Sequence, residues 1–109
     1  MLPIWEDRKG HNWEMKVLGK ERIHKFIANH TDCKKAVLAL ILEIESADWN
    51  TPGDMKARYP KASIIGNNNV VFNLCGNKYR IWLKITYRNR IAIIIRIGTH
   101  KDYDMWEMV

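Results

Sequence analysis

Two short groups of residues in the second half of the chain have the types needed for chemistry on a phosphate diester. Arg80, Trp82 and Lys84 alternate along one stretch, and the segment Gly-Thr-His-Lys-Asp-Tyr-Asp occupies positions 98–104. Arginine and lysine hold a phosphate and stabilise charge that develops on it, and histidine transfers protons near neutral pH. Trp82 or Tyr103 could stack on an unpaired base. RNA supplies its own nucleophile, the 2′-hydroxyl, so these are the parts of a metal-free ribonuclease.

Each of these residues also has a simpler explanation. An arginine on a strand, such as Arg80, is usually solvated, and a tryptophan such as Trp82 packs more often than it binds a base. His100 could be a surface or capping residue, and Tyr103 could fasten the last helix to the sheet. Residue types and spacing alone therefore predict a basic domain that binds nucleic acid, and they leave catalysis open.

Positive charge is concentrated in the second half of the chain. The net charge is +6; the first 53 residues contain eight basic and eight acidic side chains, whereas residues 54–101 contain ten basic side chains and one acid, Asp54. The ten are Lys56, Arg58, Lys61, Lys78, Arg80, Lys84, Arg88, Arg90, Arg96 and Lys101. Such a field attracts polyanions, although a solvated basic surface without a partner would have the same composition.

The first half of the chain has helical periodicity. One helix is predicted over 20–30, and a second from a cap at Asp32 to about Trp49. Their apolar stripes are Ile23, Phe26 and Ile27 in the first helix, and Val37, Leu40, Ile41, Ile44 and Ala47 in the second, widened by Leu38 and Leu42. The Thr51-Pro52-Gly53 segment is predicted to end the second helix, with one further turn over 54–58.

After position 60 the periodicity changes to that of strands. Strands are predicted at 62–65, 70–74, 79–87 and 91–97, with a short edge strand at 14–18 and a C-terminal helix over 99–107. Gly76-Asn77 is a two-residue hairpin turn. The fold class is therefore α+β, with two N-terminal helices packed on a small antiparallel sheet and a short C-terminal helix.

The strand at 79–87 alternates strictly, which assigns its side chains to two faces. Tyr79, Ile81, Leu83, Ile85 and Tyr87 point one way, and Arg80, Trp82, Lys84 and Thr86 point the other. The second face is expected to be open and concave. Arg88 and Arg90 flank a turn and are expected to be solvated, and the length of that turn decides the face of Arg96.

The chain of 109 residues has the length of one domain. Residues 1–14 have no clear period and are predicted to be an N-terminal extension to a single domain at 15–109, with Met15 as an alternative to Met1 as the start. The chain contains neither a secretory signal nor an apolar run of about 18 residues, so a cytoplasmic protein that does not enter a membrane is expected. Cys33 and Cys75 lack zinc-ligand spacing and are predicted to be reduced, buried thiols, with no metal or cofactor.

Two motifs resemble those of the HigB toxins of the RelE-like superfamily. The first is Val-Val-Phe-Asn-Leu-Cys-Gly-Asn-Lys-Tyr-Arg-Ile at 70–81, and the second is the 98–104 segment. Members of that family carry a similar Gly-Asn-Lys-Tyr-Arg turn and strand and a Thr-His-x-x-Tyr-Asp ending. The resemblance extends over about 15–106 and leaves residues 1–14 outside.

The resemblance implies a RelE-like fold and a toxin that cleaves mRNA, usually on the ribosome. It implies a HigA-type helix-turn-helix antitoxin as partner, with DNA contacted only through that antitoxin. On the matching positions, Arg80 is the phosphate-binding arginine, His100 and Tyr103 are catalytic groups, and Lys84 is a catalytic support. The residues expected to contact RNA are Lys78, Trp82, Arg96, Lys101 and Arg58. RelE-like toxins depend on several lysines and arginines where this chain offers a histidine, so the resemblance leaves the general base open.

Two other functional classes agree with the same residues. One is a non-catalytic RNA- or DNA-binding module that uses the basic face. The other is an antitoxin-binding protein without ribonuclease activity, whose basic face receives an acidic partner. Cleavage of RNA by the chain would distinguish an mRNA-cleaving toxin from both of these classes.

Overall fold

A computed structural model describes residues 14–107 and shows helices packed on one mixed sheet. The strands are β1 (Lys16–Leu18), β2 (Ser63–Ile65), β3 (Asn69–Leu74), β4 (Tyr79–Thr86) and β5 (Ile91–Thr99). The α-helices are α1 (Lys20–Asn29), α2 (Lys34–Glu45), α3 (Pro52–Arg58) and α4 (His100–Asp104), with a single 3₁₀ turn at Thr31–Cys33. None of these helices is long and apolar enough to cross a bilayer.

The five strands described lie in the order β1-β5-β4-β3-β2. The pairs from β2 to β5 are antiparallel, and β1 joins β5 in parallel at the edge, with Val17 opposite Ala92. The α+β prediction is therefore confirmed, including the short edge strand near residue 16. The turn after β3 is also as predicted, because Gly76 and Asn77 both have positive φ and the Lys78 amide donates to the Cys75 carbonyl at 3.1 Å.

The core lies between one face of the sheet and the helices α1 and α2. Every second residue of β4 enters it, as the alternation predicted: Tyr79, Ile81, Leu83 and Ile85 are at most 3% exposed. Ile23 and Ile27 of α1 and a stripe on α2 pack against them. The buried residues of that stripe are Val37, Leu40, Ile41 and Ile44.

The predicted ends of the second helix are wrong. Asp32 does not cap it; a 3₁₀ turn comes first, and the Asp32 carboxylate binds β4 instead. The helix ends at Glu45, and Leu42 does not widen the buried stripe, because 66% of it is exposed. Thr51 begins a helix and does not end one, since its hydroxyl accepts from the Asp54 amide in a reciprocal capping box.

Arg90 and Cys75 also differ from the predictions. Arg90 is not solvated: its guanidinium donates to the Trp49 carbonyl at 2.5 Å and to the Asn50 side-chain oxygen at 2.8 Å, which ties the segment after α2 to the β4–β5 turn. Cys33 is buried, but Cys75 is exposed in the β3–β4 turn; both are free thiols.

The proposed boundary at residue 15 coincides with the first buried side chain of the described region. Met15 is 2% exposed, and its amide donates to the Glu45 carbonyl at 3.0 Å. Residues 1–13 lie outside the described residues. We expect a chain that begins at Met15 to unfold cooperatively within about 1 kcal/mol of the full chain, because a new terminal ammonium can still donate to that carbonyl. Urea unfolding of both chains measures this, and loss of the cooperative transition would show that residues 1–14 belong to the folding unit.

Asp32 joins the helical layer to the start of β4. Its carboxylate accepts from the Tyr79 hydroxyl at 2.8 Å and from the Lys78 ammonium at 2.6 Å. These hydrogen bonds, the one from Lys78 foremost, hold the pKa of Asp32 below its ordinary value of 3.8. A carboxyl whose pKa is lowered by folding stabilises the fold above its unfolded pKa, and this contribution is lost as the pH falls through the folded pKa.

We therefore expect Asp32→Asn to lower the urea midpoint at pH 7 and to lower it less at an acid pH below the folded pKa of Asp32, where the native carboxyl is also uncharged. Asp104→Asn is the matched control, because Asp104 is exposed and has no ion pair within residues 14–107. An equal loss at both pH values would contradict a contribution from the carboxylate charge.

Candidate active site

The sheet face opposite the core is not open around Arg80 and Trp82, which corrects the sequence prediction. Arg80 is 9% exposed and Trp82 is 4% exposed. The Trp82 indole donates to the Asn69 side-chain oxygen at 2.7 Å, and its ring lies 6.2 Å from that of Trp106. Trp82 therefore packs under the C-terminal segment, and its ring is not available as an open stacking surface.

The C-terminal helix α4 returns over this face because of a capping box at its start. The Thr99 hydroxyl accepts from the Asp102 amide at 3.2 Å, and the Asp102 carboxylate accepts from the Thr99 amide at 2.9 Å. The His100 amide donates to the Lys78 carbonyl at 3.1 Å, which fixes the first residue of α4 to the strand beside it. His100 and Tyr103 are three positions apart and share one side of the helix.

Arg80 is held between the β3–β4 turn and α4. Its Nη1 donates to the Asn77 carbonyl at 2.5 Å, and its Nη2 lies 3.1 Å from Nδ1 of His100. The centre of its guanidinium is 5.5 Å from the centroid of the Tyr103 ring. Three of the four residues predicted to be catalytic therefore meet at one place, and backbone groups fix the orientation of the arginine before any ligand arrives.

The contact between Arg80 and His100 determines which nitrogen of the imidazole carries hydrogen. A guanidinium has five donors and no acceptor, so Nδ1 must accept from Arg80. In the neutral ring the hydrogen then lies on Nε2. His100 is exposed, so this Nε2–H can reach a ligand from solvent.

These residues lie in a region that matches a family model. The model is that of HigB_toxin, the RelE-like toxic component of a toxin–antitoxin system, and it matches residues 33–106. The chain belongs to the HigB toxin family. Comparison with the curated proteins gives no match. The matched region contains Arg80, His100 and Tyr103, and it excludes β1 and α1.

The structure of this HigB toxin leaves the fourth predicted catalytic residue, Lys84, apart from the other three. Lys84 is on the same face of β4 as Arg80, but four residues along a strand separate them by about 13 Å. Trp82 lies between them, opposite Arg96 of β5. Lys84 therefore lies apart from the cluster formed by Arg80, His100 and Tyr103.

The residues expected to bind RNA are spread around the site. Arg96 and Lys101 are exposed near α4. Lys78 forms an ion pair with Asp32, and Arg58 forms one with Glu43 at 2.5 Å on the helical side of the hairpin. Within residues 14–107, no cluster of three or more histidine, cysteine or acidic side chains could hold a metal ion.

Several residues build the site in roles that were not predicted, although the 76–77 turn and the 98–104 segment had been singled out. They are Asn77, whose carbonyl orients Arg80; Asn69, which binds Trp82; Gly98; Asp102; and Trp106. The Thr-x-x-Asp spacing at 99–102 was the available sign of a helix start. The carbonyl of Asn77 left no sign, because a backbone contact does not depend on the type of its own side chain.

Gly98 allows α4 to lie close to β4 in this HigB toxin. A Cβ atom at Gly98 would lie 2.8 Å from both Cβ and Oδ2 of Asp102 and 3.1 Å from the Trp106 ring. We expect Gly98→Ala to displace the capping box, to lower stability by about 1–3 kcal/mol, and to lower activity roughly 100-fold through misplacement of His100.

Gly66→Ala is the matched control, because nothing lies within 4 Å of the Cβ atom it would add. Thermal melts and toxicity assays of both variants test the role of Gly98. Wild-type stability and toxicity of Gly98→Ala would show that α4 does not need this close approach.

Proposed function

We propose that this chain is the toxin of a type II toxin–antitoxin system and acts as an endoribonuclease that cleaves mRNA on the ribosome. The observation that carries the proposal is the meeting of Arg80, His100 and Tyr103 at the junction of β4, β5 and α4. An oriented guanidinium, an exposed imidazole and an aromatic ring are the groups that cleavage of an RNA phosphodiester requires. The activity implied by the HigB family supports the same chemistry.

In the proposed reaction the 2′-hydroxyl oxygen forms a bond to the adjacent phosphorus, and the bond from phosphorus to the 5′-oxygen breaks. Solvent water takes the 2′-hydroxyl proton. His100 first takes a solvent proton on Nδ1, which releases that nitrogen from Arg80; the Nε2–H of the resulting imidazolium then protonates the departing 5′-oxygen and leaves a neutral ring. Arg80 stabilises the charge that accumulates on the phosphorane. The products are a 2′,3′-cyclic phosphate and a 5′-hydroxyl.

Arg80 still has hydrogen-bond donors available for a phosphate, although most of its side chain is covered. Nη1 is directed at the Asn77 and Tyr79 carbonyls, and one Nη2 hydrogen is directed at His100. The second Nη2 hydrogen and the Nε–H have no partner within residues 14–107, and these two donors can hold two phosphate oxygens. Tyr103, at the edge of the cluster, stacks on the base next to the cleaved bond.

The proposed partners follow from the same assignment. A toxin of this class has an antitoxin, and we propose that it is of the HigA type, with a helix-turn-helix domain that alone contacts DNA. The target is mRNA in the cytoplasm. Contacts with the RNA backbone are assigned to five basic residues, of which Lys101 and Arg96 lie near α4; the others are Lys84, Lys78 and Arg58.

The test is to induce the chain in cells and to map RNA 5′ ends by ligation that requires a 5′-hydroxyl. We expect new 5′-hydroxyl ends within coding regions, absent with His100→Ala and present with Arg88→Ala, a change in the exposed β4–β5 turn. Arrested growth without new ends would favour a non-catalytic RNA-binding module. Antitoxin binding without growth arrest would favour an antitoxin-binding protein that lacks ribonuclease activity.

A further inference from the structure

One side of β5 is left without a neighbouring strand over half its length. The parallel partner β1 pairs only with Ile91, Ala92 and Ile93, and no strand described within residues 14–107 pairs beyond them on that side. The His100 amide donates to the Lys78 carbonyl, on the β4 side of the chain. Backbone hydrogen-bonding groups alternate in direction along an antiparallel strand, so those of Gly98 also face β4 and those of Ile97 face away from it. The backbone groups of Ile97 are therefore directed into open space.

A cleft of about 850 Å³ runs along this edge. Ile95, Arg96 and Ile97 of β5 line its floor. One wall is formed by α1. Its lining residues are three, four and seven positions apart and therefore share one face of the helix: Arg22, Lys25, Phe26 and Asn29. The opposite wall is the C-terminal segment with Met105 and Trp106, and Met105 is 82% exposed. An extended segment placed here would have a strand edge beneath it, Phe26 on one side, and Met105 and Trp106 on the other.

The charges around the cleft favour an acidic ligand. Arg22, Lys25 and Arg96 are exposed, and none of them forms an ion pair within residues 14–107. Two acids, Asp102 and Glu107, also line the cleft, so its three cations leave it with a net positive charge. Unpaired cations beside an open strand edge match an extended peptide that carries aspartate or glutamate.

We propose that the edge of β5 at Ile95–Thr99 receives an extended acidic segment of the antitoxin, which adds to the sheet as a sixth strand. Its backbone pairs with Ile97, its acidic side chains contact Arg22, Lys25 and Arg96, and its apolar side chains contact Phe26 and Met105. The inference rests on the family assignment and not on ribonuclease chemistry. Because α1 lies outside the matched region 33–106, the cations on that wall are outside what the family model describes.

The segment would also act on the candidate active site without covering it. Trp106 forms part of the cleft, and its ring lies 5.7 Å from that of Tyr103. A strand seated against Trp106 therefore contacts the same C-terminal segment that carries His100 and Tyr103. This gives the antitoxin a means of holding α4 through Trp106.

The test uses the full chain and a capped nine-residue peptide in which glutamate alternates with valine, followed by amide NMR shifts and hydrogen exchange. We expect shifts and slowed exchange at Ile95 and Ile97. Peptides N-methylated at alternate amides separate strand addition from other binding: methylation in the register that faces β5 abolishes binding, and methylation in the outward register does not. A lysine–valine peptide is expected not to bind.

Charge reversal then identifies the cleft. Arg96→Glu and Lys25→Glu are each expected to weaken binding of the glutamate–valine peptide about 5- to 30-fold, and Arg88→Glu, in the exposed turn at the far end of β5, to leave it unchanged. Equal effects of both N-methylation registers or equal binding of the lysine–valine peptide would each overturn the proposal. So would concentration-dependent protection of Ile97 by a second copy of the chain. None of these results depends on RNA cleavage.

Discussion

Replacing Arg80 with lysine is expected to lower cleavage of ribosome-bound mRNA about 100- to 1,000-fold, the usual cost of losing a preorganised contact to a transition state. The guanidinium is held by the Asn77 carbonyl and by His100, so its remaining donors have a fixed direction. An ammonium is a point charge without the planar fork, and it cannot keep these contacts and bind two phosphate oxygens as well. The expected loss is in the rate at saturating substrate, because the contact strengthens as charge develops.

Because the same contacts also stabilise the fold, the melting temperatures of Arg80 variants must be compared as well as their cleavage rates. Removing the side chain leaves the Asn77 carbonyl and part of a covered cavity without a partner, which costs about 1–3 kcal/mol. We therefore expect Arg80→Ala to melt roughly 4–8 °C lower for each kcal/mol lost, and the lysine variant to melt closer to the wild type. Arg88→Lys is the matched control in the exposed turn. An Arg80→Lys protein that is folded and cleaves at the wild-type rate would remove the arginine from the proposed mechanism.

Much of the fold could be predicted because it depends on periodicity. The alternation in β4 identified which residues enter the core, and that half of the prediction is correct. The other half failed because alternation describes the faces of a strand and not what later covers them. Arg80 and Trp82 are buried by α4 and Trp106, and the approach of α4 depends on the absence of a side chain at Gly98. A single glycine carried no signal of that contact.

The basic residues show a second limit of the sequence. Arg80 and Arg90 have the same side chain and both lie near turns, but Arg90 ties together two loops, whereas Arg80 faces a histidine. The face of Arg96 could not be predicted because the ladder between β4 and β5 is irregular: Trp82 pairs with Arg96, and Leu83 pairs with Ile94. This bulge at Ile95 places Arg96 on the face of Trp82 while Ile94 remains in the core.

Replacing His100 with alanine is expected to lower cleavage about 100- to 10,000-fold, the range typical of a positioned proton-transfer group. Its Nδ1 is occupied by Arg80, so the ring presents Nε2–H to a ligand, and His100 is exposed to solvent. Because the capping box of α4 uses Thr99 and Asp102 and not the imidazole, the melting temperature should change little.

An asparagine variant separates a proton-transfer role from a positioning role for His100. His100→Asn can keep a hydrogen-bond acceptor near Arg80 and cannot transfer a proton. If His100 only positions the arginine, the asparagine variant should retain most of the rate; if it donates the proton, asparagine should be as slow as alanine. Asp104→Asn is the matched control, since Asp104 is exposed on the same helix and has no assigned role in the reaction. A near wild-type rate in His100→Ala would exclude His100, and Tyr103 would then be the group to test for proton transfer.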